Sequence, residues 1–103
     1  MSTKETVAIL GGTGDLGTGL AIRWSKAGYK IVIGSRTQQK ADDALAALKD
    51  ISPDTPAEAM ENGAAAAAGD IVVLTVPAAH QISTLDAVKD DLKGKILIDV
   101  TVP

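Results

Sequence analysis

From Val7 to Gly17 the chain reads VAILGGTGDLG: an apolar run, a glycine-rich turn, then the opening of a helical pattern. The apolar run before glycines predicts a buried strand over Val7–Leu10. Leu16, Leu20, Trp24 and Ala27 recur at helical spacing and predict a helix over Gly14–Ala27 with that face inward. Gly28 is placed to end it. A strand that turns directly into a helix restricts the rest of the chain to folds built from βα units.

The remaining residues keep that rhythm. Ile31-Val32-Ile33 predicts a second strand within Lys30–Gly34. Thr37 would cap a second helix running through Leu48, with Ala41, Ala44, Leu45 and Leu48 as its buried stripe. Ser52–Pro56 is rich in turn formers, and Ala57–Met60 reads as a short third strand. The alanine run within Asn62–Ala68 predicts a short helix lying close on a sheet, since alanine combines high helix propensity with little bulk. Ile71–Val76, bounded by Asp70 and Pro77, is continuously apolar, as expected of a parallel strand covered on both faces. His80–Leu92 predicts a helix with Ile82, Leu85, Val88 and Leu92 inward, ended by Lys93-Gly94-Lys95. Ile96–Val100 predicts a last strand. Alternating strands and helices imply right-handed crossovers and an α/β, doubly wound parallel sheet of about five strands in the order 3-2-1-4-5. No linker divides the chain, so residues 1–103 are expected to form a single Rossmann-like domain.

Gly12-Thr13-Gly14-Asp15-Leu16-Gly17 fits G-x-G-x-x-G, and its place between a strand and a helix is what gives the pattern meaning. Gly12 would permit the tight turn, and Gly14 would let the backbone approach a pyrophosphate. Gly17 would let the helix lie close on the strand. The first turn of the helix presents unpaired N–H groups to a phosphate, and Thr13 would add a hydroxyl. Asp15 is expected to face solvent or to support that first turn.

Dinucleotide folds often place a carboxylate at the end of the second strand, roughly 20 residues after the loop, to bind the adenine-ribose 2′-hydroxyl. Here the sequence is Gly34-Ser35-Arg36. A carboxylate would repel a 2′-phosphate; a serine hydroxyl donates to it. Arg36 would pair with the phosphate and lay its guanidinium plane on adenine. Lys40 follows about one helical turn later. These donors select NADP(H) over NAD(H).

The composition excludes several other classes. Trp24 and Tyr29 are the only aromatics and the formal charge is −3, so neither a stacking platform nor a basic stripe for nucleic acid is present. No cysteine is present, which removes disulfides, thiolate zinc sites and redox thiols. Asp42-Asp43 and Asp90-Asp91 lack the spacing of metal ligands and read as solvated helix faces. Met1–Glu5 lacks the apolar core of a signal peptide, and no apolar run approaches membrane-spanning length. A soluble, cytoplasmic protein is the expectation. His80 reads as a helix-end polar residue, with a general-acid role as the alternative, and Asp99 as either a loop-stabilising carboxylate or a ligand contact. Trp24 reads as core. No catalytic nucleophile–base pair can be named.

With the loop and the Ser-Arg pair on the page, GGTGDLGTGLA and IVIGSR resemble the N-terminal NADP-binding domain of NADPH-dependent reductases of coenzyme F420, a deazaflavin. The NADPH-binding domains of membrane ferric reductases carry a similar pattern. The resemblance continues through AAAGDIVVLTVP and GKILIDVTVP, covering nearly the whole chain. It implies hydride transfer between nicotinamide C4 and deazaflavin C5, with the protein holding two planar rings face to face. It also implies that Thr13, Ser35, Arg36 and Lys40 contact the NADP phosphates and that Val76 and Pro77 lie beside the nicotinamide ribose. Thr101-Val102-Pro103 would lie near the nicotinamide and the deazaflavin. The chain departs from the family in having Ala78-Ala79 where members often carry a bulky aromatic. The family's C-terminal half, which supplies much of the deazaflavin pocket and the dimer contacts, has no counterpart here. An isolated domain, a truncated reading frame and a stand-alone module all remain open.

The candidate cofactor-binding residues are therefore Gly12, Thr13, Gly14, Asp15, Leu16, Gly17, Ser35, Arg36, Lys40, Val76, Pro77 and Thr101. The leading expectation is an oxidoreductase passing hydride between NADPH and a deazaflavin. The alternatives are a non-catalytic NADP(H)-binding or redox-sensing module completed by a partner chain, and a dehydrogenase of another small acceptor. A sheet ending at its fifth strand leaves an uncovered edge, which predicts a homo-oligomer formed through that edge.

Overall fold

The computed structural model describes residues 5–11, 15–75 and 78–100. Strands β1 (Thr6–Leu10), β2 (Lys30–Ser35), β3 (Ala57–Glu61), β4 (Ile71–Leu74) and β5 (Ile96–Asp99) form one parallel sheet ordered β3-β2-β1-β4-β5. Between them run helices α1 (Asp15–Lys26), α2 (Gln38–Ile51), α3 (Asn62–Ala68) and α4 (Ala78–Val88), the last continued by a 3-10 turn over Lys89–Leu92. This is the doubly wound order expected from the sequence.

The alternation of side chains along each strand divides the core in two. Val7, Ile9, Ile31, Ile33 and Val73 face one side, where Ala21 of α1 and Ala44 and Leu48 of α2 cover them. Ala8, Leu10, Val32, Val72 and Leu74 face the other, against Ala65 and Ala66 of α3 and Val88 of α4. Both faces of the central strands are thus dry, which explains their unbroken apolar runs. The alanine run behaves as expected: Ala65 and Ala66 are fully buried, and their small side chains bring α3 close to the sheet.

Several element boundaries and faces differ from the sequence reading. Helix α1 begins at Asp15 and ends at Lys26, and Ala27 is exposed in the following turn. Among its residues of described burial, Gly17 and Ala21 are buried, while Leu20 and Trp24 are only partly buried beside them. Small residues occupy the line of contact because they allow the helix its close approach. Helix α2 extends to Ile51, and Thr37 caps it as expected, its Oγ1 accepting from the Lys40 N–H at 3.2 Å. Helix α4 starts at Ala78, before His80, and its α-geometry gives way to 3-10 after Val88.

Ile82, expected inward, is 74% exposed. Thr84 and Val88 are the buried positions of α4, with Gln81 and Leu85 half-buried. The helix is therefore rotated so that a polar threonine, not the isoleucine, meets the body of the protein. Strand β4 ends at Leu74, so Thr75, expected within it, lies just beyond its end, and Val76 is outside the described residues. Strand β5 occupies the sheet edge with every side chain exposed.

Candidate nucleotide-binding site

In a parallel sheet the carboxyl ends of all strands lie along one rim. The order reverses at β1, which has β2 on one side and β4 on the other, so a crevice opens above the end of β1. Hydrogen bonds close the rim beneath it. The Gly11 N–H donates to the Gly34 carbonyl at 2.9 Å. The Leu10 carbonyl accepts twice from Thr75, from its N–H at 3.0 Å and its buried Oγ1 at 2.9 Å. The Val100 N–H donates to the Leu74 carbonyl at 3.0 Å. The rim is thereby stitched from β2 across to β5.

Gly11 leaves β1 with φ of 75°, a left-handed conformation that glycine adopts without a Cβ clash. The chain re-enters α1 at Asp15, with Leu16 next and Gly17 buried. Gly12, Thr13 and Gly14, the centre of the expected phosphate loop, lie outside the described residues, as do Val76, Pro77 and Thr101. What the structure does establish is the setting: a strand end at the switch point, a left-handed glycine, and a helix that starts over the crevice.

Ser35 and Arg36 lie at the end of β2. Ser35 is 5% exposed and is paired in register with Glu61 of β3. Arg36 follows, exposed, and forms no ion pair among the described residues. Lys40 is exposed in the first turn of α2 and borders a separate shallow depression with Asp43, Ala44 and Ala47. Arg36 instead borders a larger cavity of about 550 Å³ on the α3–α4 side, with Glu61, Asn62, Gly63, Ser83, Thr84 and Ala87. Ser35 and Arg36 are thus adjacent at the rim, while Lys40 opens onto other ground.

Sequence reasoning missed the far wall of that cavity. Asn62 begins α3 immediately after β3, with no connecting loop, and is 9% exposed. Its Oδ1 is buried without a hydrogen-bond partner. The available signal was an asparagine directly following a strand whose carboxyl end must lie on the ligand side. Thr75, which locks β1 to β4, was hidden inside an apolar run. Among the other candidates, His80 is exposed in the first turn of α4. Gln81 donates through Nε2 to the Asp99 carboxylate, tying α4 to the end of β5. No cluster of metal-ligating side chains occurs among the described residues.

The sequence matches the family described as "NADP oxidoreductase coenzyme F420-dependent" over residues 6–103. The chain belongs to this family. Among similar family proteins is the F420-dependent NADP reductase of Methanothermobacter thermautotrophicus, 46% identical over 99 residues, covering 94% of this chain and 43% of that protein. The enzyme of the same name from Methanocaldococcus jannaschii is 46% identical over 101 residues, covering 94% of this chain and 45% of its own length. The chain thus spans less than half the length of these curated relatives. Among solved structures, a reductive aminase from Aspergillus terreus in complex with NADPH and ethyl-5-oxohexanoate superposes with a TM-score of 0.69 at 26% identity, covering 96% of this chain and 32% of that one. The family membership and the sheet order together make this an oxidoreductase-family nucleotide-binding fold.

Proposed function

We propose that residues 1–103 act as one NADP(H)-binding unit and that the activity it serves is hydride transfer between NADPH and a deazaflavin. The observation that carries the reading is Ser35-Arg36 at the end of β2: a hydroxyl and a guanidinium with no ion pair among the described residues stand where a carboxylate would select NAD(H). The residues present fit the cofactor. Arg36, exposed at the end of β2, supplies the positive charge a 2′-phosphate needs, and the cavity of about 550 Å³ that it borders has the size of a small-molecule site, roughly 300–1,000 Å³.

In this reading Ser35 and Arg36 bind the 2′-phosphate, and Lys40 adds charge at longer range. The backbone of Gly12, Thr13 and Gly14, with Asp15, Leu16 and Gly17 opening α1, receives the pyrophosphate. Val76, Pro77 and Thr101 flank the nicotinamide half. Bound NADPH supplies the hydride; the chain binds and orients it, and no side chain need accept a proton. The deazaflavin assignment is supported by the names of the methanogen reductases. No helix among the described residues is long and apolar enough to cross a membrane. The uncovered apolar strand β5 supports a homo-oligomer formed through that edge.

Calorimetric titration with NADPH and NADH tests the binding. The wild type is expected to favour NADPH, and Arg36→Ala to lose about ten- to a hundredfold of that preference, as for a charge-assisted hydrogen bond. Equal affinities for the two dinucleotides in the wild type would overturn the assignment. Oxidation of NADPH on adding oxidised deazaflavin tests the reaction. A second reading is an NADP(H)-binding module completed by a partner chain. It predicts tight binding without turnover, with activity appearing when the partner is added.

A further inference from the structure

Thr75 follows the apolar residues of β4 and is only 8% exposed. Valine would fit the strand's shape as well, since both side chains are β-branched. What threonine adds is a hydroxyl, and a buried hydroxyl must find a partner. Here Oγ1 donates to the Leu10 carbonyl at 2.9 Å, beside the Thr75 N–H at 3.0 Å. The N–H bond continues the parallel ladder one step past the Leu10–Leu74 pair. The hydroxyl bond is additional to that ladder.

The Leu10 carbonyl belongs to the same peptide unit as the Gly11 N–H, which donates to the Gly34 carbonyl at 2.9 Å. The unit is planar and trans, so its two ends point to opposite neighbours, β4 and β2. With one bond at each end, the plane can still tilt about the line that joins them. A second donor on the carbonyl opposes the tilt. This matters because the next torsion is Gly11 φ, at 75°. Glycine has no Cβ to hold its own direction, so the preceding peptide decides where the chain leaves β1.

We propose that Thr75 is a positioning residue for dinucleotide binding: its hydroxyl fixes the Leu10–Gly11 peptide and so aims the backbone that meets the pyrophosphate. Thr75 acts through that backbone and not by touching the ligand. The role rests on the NADP(H) reading above and adds to it a residue from the far side of the crevice. Its effect falls on the pyrophosphate, whereas Ser35 and Arg36 act on the 2′-phosphate.

Equilibrium titration of the full chain with NADPH, NADH and adenosine 2′-monophosphate tests the role. The last ligand carries the base and the 2′-phosphate but no pyrophosphate. Thr75→Val is expected to bind NADPH and NADH each about three- to tenfold more weakly, the worth of one hydrogen bond, with the preference between them kept. Adenosine 2′-monophosphate should bind as it does to the wild type. Thr75→Ser keeps the hydroxyl and should restore both dinucleotide affinities. Thr75→Ala should repeat the loss without placing a methyl group against the carbonyl. Undiminished NADPH binding by Thr75→Val or by Thr75→Ala overturns the role. Thr75→Ser as weak as Thr75→Val also overturns it, because the hydroxyl would then not be what matters. An equal loss for adenosine 2′-monophosphate does the same, since it marks a general loosening of the fold. Equal affinities of the wild type for NADPH and NADH sink the 2′-phosphate assignment alone; the loss in Thr75→Val then still decides the role, because both ligands carry the pyrophosphate. If the wild type binds neither dinucleotide, both readings fall.

Discussion

A methyl group added at Gly34 would come within 2.8 Å of Leu10 Cδ2, 2.9 Å of Ala65 Cβ and 2.9 Å of Asn62 Oδ1. These neighbours belong to β1 and to α3, and two of them are fully buried, so none can move freely. Gly34→Ala is therefore expected to destabilise the chain by about 1–3 kcal/mol, the usual cost of overpacking, measured as a lowered denaturation midpoint. An unchanged midpoint would mean that α3 lies further from the sheet than described. In sequence, Gly34 stood out only as the neighbour of Ser35 and Arg36. Its steric role depends on α3, which arrives from residues far along the chain, and no local pattern reports that approach. The same is true of Asn62, whose burial against Gly34 depends on β2 and not on its neighbours in the alanine run. Ser35 and Arg36 could be read early because their position relative to the glycine loop is set by one βαβ unit.

Helix α4 illustrates the limit of periodicity. Leu85, Val88 and Leu92 were correctly read as facing inward, at least in part, but Ile82 was assigned to the same stripe and is exposed. The real inner face contains Thr84, a residue a hydropathy pattern discounts. Ile82→Lys is accordingly expected to change stability by less than about 0.5 kcal/mol, as for other exposed sites. A large loss in chemical denaturation would show that Ile82 is covered in solution. Helix α1 gives the complementary case. Large residues mark its apolar side, yet Gly17 and Ala21 are buried where Leu20 and Trp24 are only partly so, because small residues set how near a helix can lie. The order and type of every described element were predictable, since strand–helix alternation admits few topologies. The helix rotations and ends were not, because tertiary packing decides them.

At the scale of the whole molecule, the described residues leave the side chains of edge strand β5 exposed. Ile96, Leu97 and Ile98 of β5 are 62%, 42% and 40% exposed on a strand whose outer backbone groups have no neighbouring strand in the sheet. Beside it, Val7, Trp24, Tyr29, Ile71, Val73 and Ile98 line an apolar groove of about 140 Å³. Open apolar edges invite pairing, and a lysine on the edge opposes it. Light scattering of the chain should therefore show a species larger than a monomer, and Ile96→Lys should shift it toward the monomer without unfolding it. A single monomeric species at the concentrations used for titration would contradict association through β5.

The doubled hydrogen bond from Thr75 to the Leu10 carbonyl has a consequence for exchange with solvent. The amides of Gly11, Thr75 and Val100 each bridge neighbouring strand ends, so none should be released without separating two strands. In deuterium oxide these three protons should exchange together and late, on the timescale of opening the whole sheet rather than of loop motion. Dinucleotide binding should slow them further by the same factor. Staggered exchange would show that the floor of the crevice opens strand by strand. Synchronous exchange would make these amides a direct gauge of how much rigidity the ligand adds to a platform that is already closed beneath it.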